Sequence, residues 1–226
     1  TLYAQYSQAA DPVSGLLMIS PANGAFDLAK GKQIEVGMKQ AFDGGEWTLA
    51  AYRIVKKKLL TDDPGNPTLK QQVGQQSSNG LEASLDLQLS HAWQLQANAA
   101  IVKARYDDFS EVVNGQTLSY NGNRPVDVPR RTANLWLNKK LSDDLKAGAG
   151  VRYVDARYAD MANRNELPSY TVVDATLSWQ ALRNTTLGLQ LNNLFDRQYA
   201  QSQYNAGQQW ILGEPRSFFV TADYTF

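Results

Sequence analysis

Apolar and polar residues alternate with a period of two along almost the whole chain. Leu81, Ala83, Leu85, Leu87 and Leu89 alternate with Glu82, Ser84, Asp86 and Gln88. After Ser90-His91-Ala92, the residues Trp93, Leu95, Ala97, Ala99 and Ile101 alternate with Gln94, Gln96 and Asn98. The same pattern carries Ala133, Leu135 and Leu137, then Leu145, Ala147, Ala149, Val151 and Tyr153. It continues through Val173, Ala175, Leu177 and Trp179 and through Leu187, Leu189 and Leu191. At the end, Phe218, Val220, Ala222, Tyr224 and Phe226 share one face of an eleven-residue stretch, 216–226. Period two with a single apolar face predicts strands, and a helical period is nearly absent. Ten strands are predicted, at 1–8, 32–42, 46–58, 73–90, 92–107, 128–141, 144–158, 168–180, 184–194 and 216–226.

The connections between these strands sort into two kinds. Those near 43–45, 90–92, 141–144 and 181–184 are tight. Those at 9–31, 59–72, 108–127, 159–167 and 195–215 are long and rich in Gly, Asn, Pro and Gln. Strict alternation of short and long has no cause in a soluble sandwich. An outer-membrane barrel requires it, with short turns on the periplasmic side and long loops outside. Several strands exceed the five or six residues usual in soluble sheets and reach the length of about ten that a tilted membrane strand needs. Trp47, Trp93 and Trp179 fall near short turns, and Tyr106, Tyr153, Tyr158 and Tyr170 near long-loop ends. Rings of this kind favour the headgroup level, which predicts two aromatic belts. The fold class expected is all-β, an antiparallel transmembrane barrel wall in the bacterial outer membrane.

Composition agrees. The 226 residues allow one large domain, with 22 Lys+Arg against 22 Asp+Glu, so no net field points to nucleic acid. There is no cysteine, which removes disulfide scaffolds and thiolate metal sites. A mean hydropathy of −0.43 would be odd for a helical membrane protein and suits a barrel, where every second residue meets lipid. No apolar run of eighteen residues exists, so no transmembrane helix is predicted. The chain begins in the middle of a predicted strand, with no leader at Thr1. The expectation is a fragment, or the ordered part of something longer.

Candidate chemistry favours binding over catalysis. His91 is the only histidine and sits in a predicted periplasmic turn, so neither a catalytic nor a metal site is expected. Asp62-Asp63 and Asp143-Asp144 read as turn residues. Lys56-Lys57-Lys58 lies near an outer strand end, where contact with lipopolysaccharide phosphate competes with a solvated rim. Gly148 and Gly150 alternate on the face turned to the lumen, suiting close approach of another backbone or sheet curvature.

Five stretches resemble the TonB-dependent siderophore receptors. They are Gly80-Leu-Glu-Ala83, Val128-Pro-Arg-Arg-Thr-Ala-Asn-Leu-Trp136, Leu167-Pro-Ser-Tyr-Thr-Val-Val-Asp-Ala175, Leu191-Asn-Asn-Leu-Phe-Asp-Arg-Gln-Tyr199 and the closing strand. The resemblance implies a 22-stranded barrel of which 1–226 supplies the last ten strands, without the amino-terminal plug, the TonB-contacting box and the first strands. It implies a receptor that takes up ferric siderophores with energy delivered through TonB, and no enzyme. The iron would arrive with its own ligands, so no cofactor is expected. Partners expected are the ferric siderophore, the receptor's own plug, TonB through the missing amino terminus, and outer-membrane lipid with lipopolysaccharide.

Ligand contacts are expected from loop side chains, namely Tyr120 with Asn121 and Arg124, and Tyr204 with Asn205, Gln208, Gln209 and Trp210. Lumen-facing Glu82, Asp86, Arg152 and Asp174 are expected to meet the plug. Two other readings compete. A stand-alone ten-strand pore or outer-membrane enzyme would need no plug. A soluble β-sandwich carbohydrate-binding module would stay folded in plain buffer.

Overall fold

The computed structural model describes residues 1–11, 27–63, 66–204 and 208–226. Among these residues every regular element is a strand. Ten of them form one antiparallel sheet. They are β1 (Leu2–Asp11), β2 (Ala29–Phe42), β3 (Gly45–Asp63), β4 (Asn66–Ser90), β5 (Trp93–Asp108), β8 (Arg131–Lys140), β9 (Leu145–Val154), β12 (Tyr170–Leu182), β13 (Thr185–Asn192) and β16 (Ser217–Tyr224). The other six form three small hairpins inside the long connections: β6 (Ser110–Val113) with β7 (Gln116–Ser119), β10 (Arg157–Tyr158) with β11 (Glu166–Leu167), and β14 (Ala200–Tyr204) with β15 (Gln209–Leu212). In the large sheet each strand pairs with its neighbours in chain order, and β1 and β16 form its two edges.

Register sorts the side chains into two faces. Along one row, Leu2, Met38, Leu49, Ala83, Ala99, Ala133, Tyr153 and Thr171 follow one another as cross-strand partners. Neighbouring rows on that face carry Leu85, Ala97, Leu135, Val151 and Val173. Polar side chains fill the other face: Thr48 bonds Ser84, Asn134 donates to Asn98 at 2.8 Å, and Gln94 and Gln96 donate to Asp86 at 3.0 and 2.8 Å. The apolar face is also the exposed one, with Val220 at 71 %. A soluble sandwich buries such side chains. An exposed apolar band across a whole sheet is instead a lipid-facing surface. Trp47, Trp93 and Trp179 share that face close to the short turns, as expected.

The predicted loop at 59–72 is not a loop. β3 continues to Asp63 and β4 starts at Asn66, so a paired ribbon projects past the apolar band. Its content of Gly, Asn, Pro and Gln suggested a loop, and the alternation had stopped. It stops because above the bilayer neither face is selected for apolar residues, while the backbone ladder continues. Register shifts at Lys57/Leu59 and beyond, with Lys58 at φ 62°, mark where the ribbon leaves the regular wall.

The outer tyrosine belt also differs from expectation. Tyr153 lies on the lipid face, but Tyr106 and Tyr170 are buried and Tyr158 carries Arg124 over its ring at 4.9 Å. These three belong to loop packing. The Trp136 side chain lies beside Gly150, and the side chains of Asn138, Thr176 and Trp136 lie beside Gly148.

Candidate functional site: the cap formed by the long loops

The buried clusters of the described chain lie where the long loops meet the strand ends at one end of the sheet. One cluster is Tyr106, Phe109 and Tyr120, with Leu59, Leu118, Met161 and Ala162 packed against it. The rings of Tyr106 and Phe109 stack at 4.8 Å. A second cluster is Ala159, Leu167 and Ala200. Both join residues from different connections, so the long loops form one packed cap.

Side-chain amides stitch the connections at 108–127 and 159–167 together. Asn163 accepts from the Arg124 amide at 2.8 Å and donates to the Arg124 carbonyl at 2.9 Å, reproducing a strand pair with one side chain. Asn123 donates to the Met161 carbonyl at 2.8 Å. The β6–β7 hairpin turns on Asn114-Gly115, with φ of 53° and 75°. Both residues sit in the left-handed region that a two-residue type I′ turn needs.

Arg157 ties in the connection at 195–215. It is 3 % exposed, donates to the carbonyls of Ala200 and Gln201 at 2.8 and 3.1 Å, and lies 5.5 Å above the Tyr170 ring. Its Nε is 3.4 Å from Asp127 Oδ1, and those two atoms find no hydrogen bond. The other Asp127 oxygen accepts from the Ser202 hydroxyl at 2.6 Å. One Asp–Arg pair thus holds three loops.

The Asn192-Asn193 motif opens the last loop. Asn193, in the left-handed region at φ 47°, donates to the carbonyls of Arg197 and Glu214 at 2.9 and 3.0 Å and accepts from the Arg197 amide at 2.8 Å. Its own amide donates to Asp174 at 2.7 Å. The Arg216 amide donates to Asp196 at 2.9 Å, bringing the loop back to β16.

These contacts divide the residues expected to touch ligand. Tyr120 is 7 % exposed and inside the first cluster, and burial pushes its hydroxyl pKa up. Arg124 donates to the Ala156 carbonyl at 3.0 Å as well as covering Tyr158, and Asn121 accepts from the Phe109 amide at 2.8 Å. All three are engaged in building the cap. Tyr204, Gln208 and Trp210 are exposed, with Tyr204 at 62 % and Trp210 at 50 %. Tyr204 pairs with Gln209 and Trp210 with Gln203, so strand alternation sends the two rings to opposite faces of the β14–β15 ribbon. Asn205 lies outside the described residues.

The lumen group separates too. Glu82 lies opposite Ala50 and Ala100 on the polar face, and Asp86 is nearer the short turns among its glutamines. Arg152 and Asp174 are on adjacent strands but are not ion-paired, since Asp174 serves the Asn193 amide. Sequence reasoning missed Arg157 and Asp127. His91 is exposed in the β4–β5 turn, and no three His, Cys, Asp or Glu side chains among the described residues converge on a metal position.

Comparison with known proteins gives one consistent result. Residues 1–194 match the family model described as TonB dependent receptor-like, beta-barrel. The metal-pseudopaline receptor CntO of Pseudomonas aeruginosa is 34 % identical over 97 % of this chain and 30 % of its own length. The ferrichrome outer membrane transporter/phage receptor of Escherichia coli is 30 % identical over 100 % of this chain and 30 % of its own. The crystal structure of the siderophore receptor PiuA from Acinetobacter baumannii superposes with a TM-score of 0.87 at 27 % identity, over 99 % of this chain and 33 % of that one. The chain spans about a third of the length of the proteins it matches.

Proposed function

The chain belongs to the TonB-dependent receptors of the outer membrane, a family of receptors and not of enzymes, and we propose that it is wall and cap of a receptor for ferric siderophores. On this reading residues 1–226 are the last ten strands of a 22-stranded barrel. The rest of the receptor supplies the first strands, the plug inside the lumen and the segment that meets TonB. The iron is cargo, carried in by its own chelator. The cap binds the complex, and rearrangement of the plug, driven through TonB, lets it pass.

The observation that carries the proposal is the cap. Three loop hairpins are held as one body at the end of the wall, with exposed aromatic and amide side chains on the β14–β15 ribbon. Tyr204, Gln208 and Trp210 are the proposed ligand contacts, offering ring faces and hydrogen-bond groups. Tyr120 and Arg124 hold the connections at 108–127 and 159–167 together. Glu82, Asp86, Arg152 and Asp174 are the proposed groups facing the plug.

The test is uptake of iron-55 by cells carrying the full-length receptor or a deletion of it, supplied in turn with hydroxamate, catecholate and citrate complexes. Uptake of one complex that requires both the receptor and TonB is expected. Equal uptake of every complex in the deletion strain would overturn the proposal. A second reading comes from the relative named for metal-pseudopaline. A metal complex of another metallophore would then replace the ferric siderophore, and zinc-65 or nickel-63 uptake in the same cells separates the two.

A further inference from the structure

The carboxylates of the cap are engaged inside it, while two of its arginines are left on the polar side of the wall. Asp127 serves Arg157 and the Ser202 hydroxyl. Asp155 serves Arg131. Asp160 accepts from the amides of Arg164 and Asn165 at 3.2 and 2.6 Å. Asp196 takes the Arg216 amide, Glu214 the Ser217 hydroxyl, and Glu111 the Tyr120 hydroxyl. Among the described residues of these connections, Asp108 and Glu166 are the carboxylates left over, and both are exposed.

Arg130 directly precedes β8. The Val102 amide donates to its carbonyl at 2.8 Å, so the β5–β8 ladder runs on through it. Arg131 is on the lipid face with Asp155, and alternation puts Arg130 on the polar face in line with Thr132 and Asn134. Arg130 is exposed and has no carboxylate partner among the described residues. Arg124 reaches the same junction from the loop. It donates to the Ala156 carbonyl at 3.0 Å, and the preceding residue, Asp155, donates its amide to the Arg131 carbonyl at 2.9 Å. The two guanidinium groups are near enough that the charge of Arg130, after burial, lowers the Arg124 pKa. Asp155 and Glu166 act on Arg124 in the opposite sense, but Asp155 is held by Arg131 and Glu166 acts least. Arg152 continues the same sign along the polar face, opposite Asn134.

We infer that the cargo is a net-negative metal complex, one that presents carboxylate or catecholate oxygens to Arg130 and Arg124 where the cap joins the wall. The inference rests on the receptor reading and narrows it to a class of substrate. A guanidinium offers a planar fork of donors that matches paired anionic oxygens, and such charge-assisted bonds are short and strong. A neutral chelate would cover the two guanidinium groups without a counter-charge, and a buried unpaired charge is costly. A cationic chelate would add a third like charge. A net-negative one supplies the counter-charge that the carboxylates of the cap do not. The rings and amides of the β14–β15 ribbon are contacts that any chelate can use, so the arginines and not the ribbon select the class. Their field also favours approach of anions to the lumen mouth.

The test pairs uptake with binding in the full-length receptor. Cells are supplied with ferric citrate, a ferric tricatecholate and a ferric trihydroxamate, the first two net-negative and the third neutral. The complex taken up through the receptor is expected to be one of the first two, and which one it is tells carboxylate from catecholate. Purified receptor in detergent is then titrated with that complex, with fluorescence quenching as the readout. Arg130→Gln is expected to weaken binding about tenfold or more, and Arg130→Lys to recover part of the loss. Binding by the wild type is expected to weaken as salt rises, and less steeply in Arg130→Gln, a difference that a merely structural role would not produce. Arg183→Gln, in the short turn at the opposite end, is expected to bind as the wild type does. Wild-type affinity and salt dependence in Arg130→Gln would overturn the inference. So would uptake of the neutral complex, alone or as readily as the anionic ones, and the receptor reading would then still stand. Uptake of none of the three through the receptor would remove that reading and the inference with it.

Discussion

Trp136 and Gly150 face each other as direct partners across the β8–β9 ladder, and the indole lies where a side chain at position 150 would stand. The ring's Nε1 donates to Asn138 at 2.7 Å, so it lies flat along the polar face of the wall. Tyr3 with Gly37 and Tyr52 with Gly80 repeat the pairing. In each case a large ring covers the backbone that a glycine leaves bare, and the curved inner face stays packed without a second layer above it. Gly150→Ala is expected to push the indole off its seat and cost about 1–3 kcal/mol. Trp136→Ala is expected to cost a similar amount, and the double variant less than the sum, because the two changes act on one contact. Urea unfolding of the full-length protein in bilayers measures all three, and strict additivity would count against the pairing.

The two faces of a wall strand are expected to tolerate charge very differently. Leu135 lies on the apolar face between Ala97 and Val151, while Asn134, one residue away, is on the polar face bonded to Asn98. Leu135→Arg is expected to cost about 2–4 kcal/mol near the bilayer midplane, and Asn134→Arg far less. Heat-modifiability on gels and unfolding in bilayers compare the pair. Equal costs would mean that the face assigned to lipid is wrong.

Arg157 is expected to govern the order of the cap and not that of the wall. Arg157→Met keeps most of the bulk but leaves Asp127 and the carbonyls of Ala200 and Gln201 without their cation. Hydrogen bonds to a charged group contribute roughly 1.5–3 kcal/mol each way of counting, so a loss of about 2 kcal/mol in loop anchoring is expected. Amide exchange should accelerate across β14 and β15 and stay unchanged in β8 and β9. Uniform protection in the variant would show that the three loops do not depend on this residue.

Asp155, just past the end of β9, sets a pH dependence. Burial opposes its ionisation, but the Arg131 guanidinium at 3.0 Å, the Ala156 amide and the Tyr153 hydroxyl together outweigh burial and hold its pKa below the ordinary 3.8. A carboxyl lowered on folding stabilises the fold fully above its ordinary value, and that contribution is lost as pH falls through the lowered one. Carbon-13 NMR of the Asp155 carboxyl in the full-length receptor is expected to show a midpoint below 3.8, moving upward in Arg131→Gln. A midpoint unmoved by that substitution would remove Arg131 as a cause.

The wall was legible in the sequence because lipid imposes one rule on every second residue. Leu81 to Leu89 and Phe218 to Tyr224 obey it, and all ten strands follow. Past the bilayer the rule lapses, and with it the signal, so the ribbon of β3 and β4 beyond Lys58 read as a loop. Asn114-Gly115 between Val112-Val113 and Gln116-Thr117-Leu118 was a readable hairpin signal, hidden inside a segment taken to be irregular. Arg157 had no such signature. Its importance comes from carbonyls 43 and 44 residues away, and no local pattern records that. Tyr120 misled for the complementary reason, since an aromatic in a polar loop looks alike whether it packs inward or points out.

That ambiguity decides how the ligand contacts should be tested. Tyr120→Ala removes a ring from the cluster with Tyr106 and Phe109, so lost uptake would report a collapsed cap as readily as a lost contact. Trp210→Ala takes away a half-exposed ring from the β14–β15 ribbon, where the ladder to Gln203 is backbone and survives. An aromatic face against a bound ligand is worth about 1–2 kcal/mol, so binding of the transported complex is expected to weaken about five- to thirtyfold. Amide exchange in the cap should be unchanged in Trp210→Ala and faster in Tyr120→Ala. Trp210→Phe, which keeps a ring, should restore most of the affinity. Full binding by Trp210→Ala together with an undisturbed cap would place the ligand away from this ribbon, on the face where Tyr204 stands or among the loops beneath.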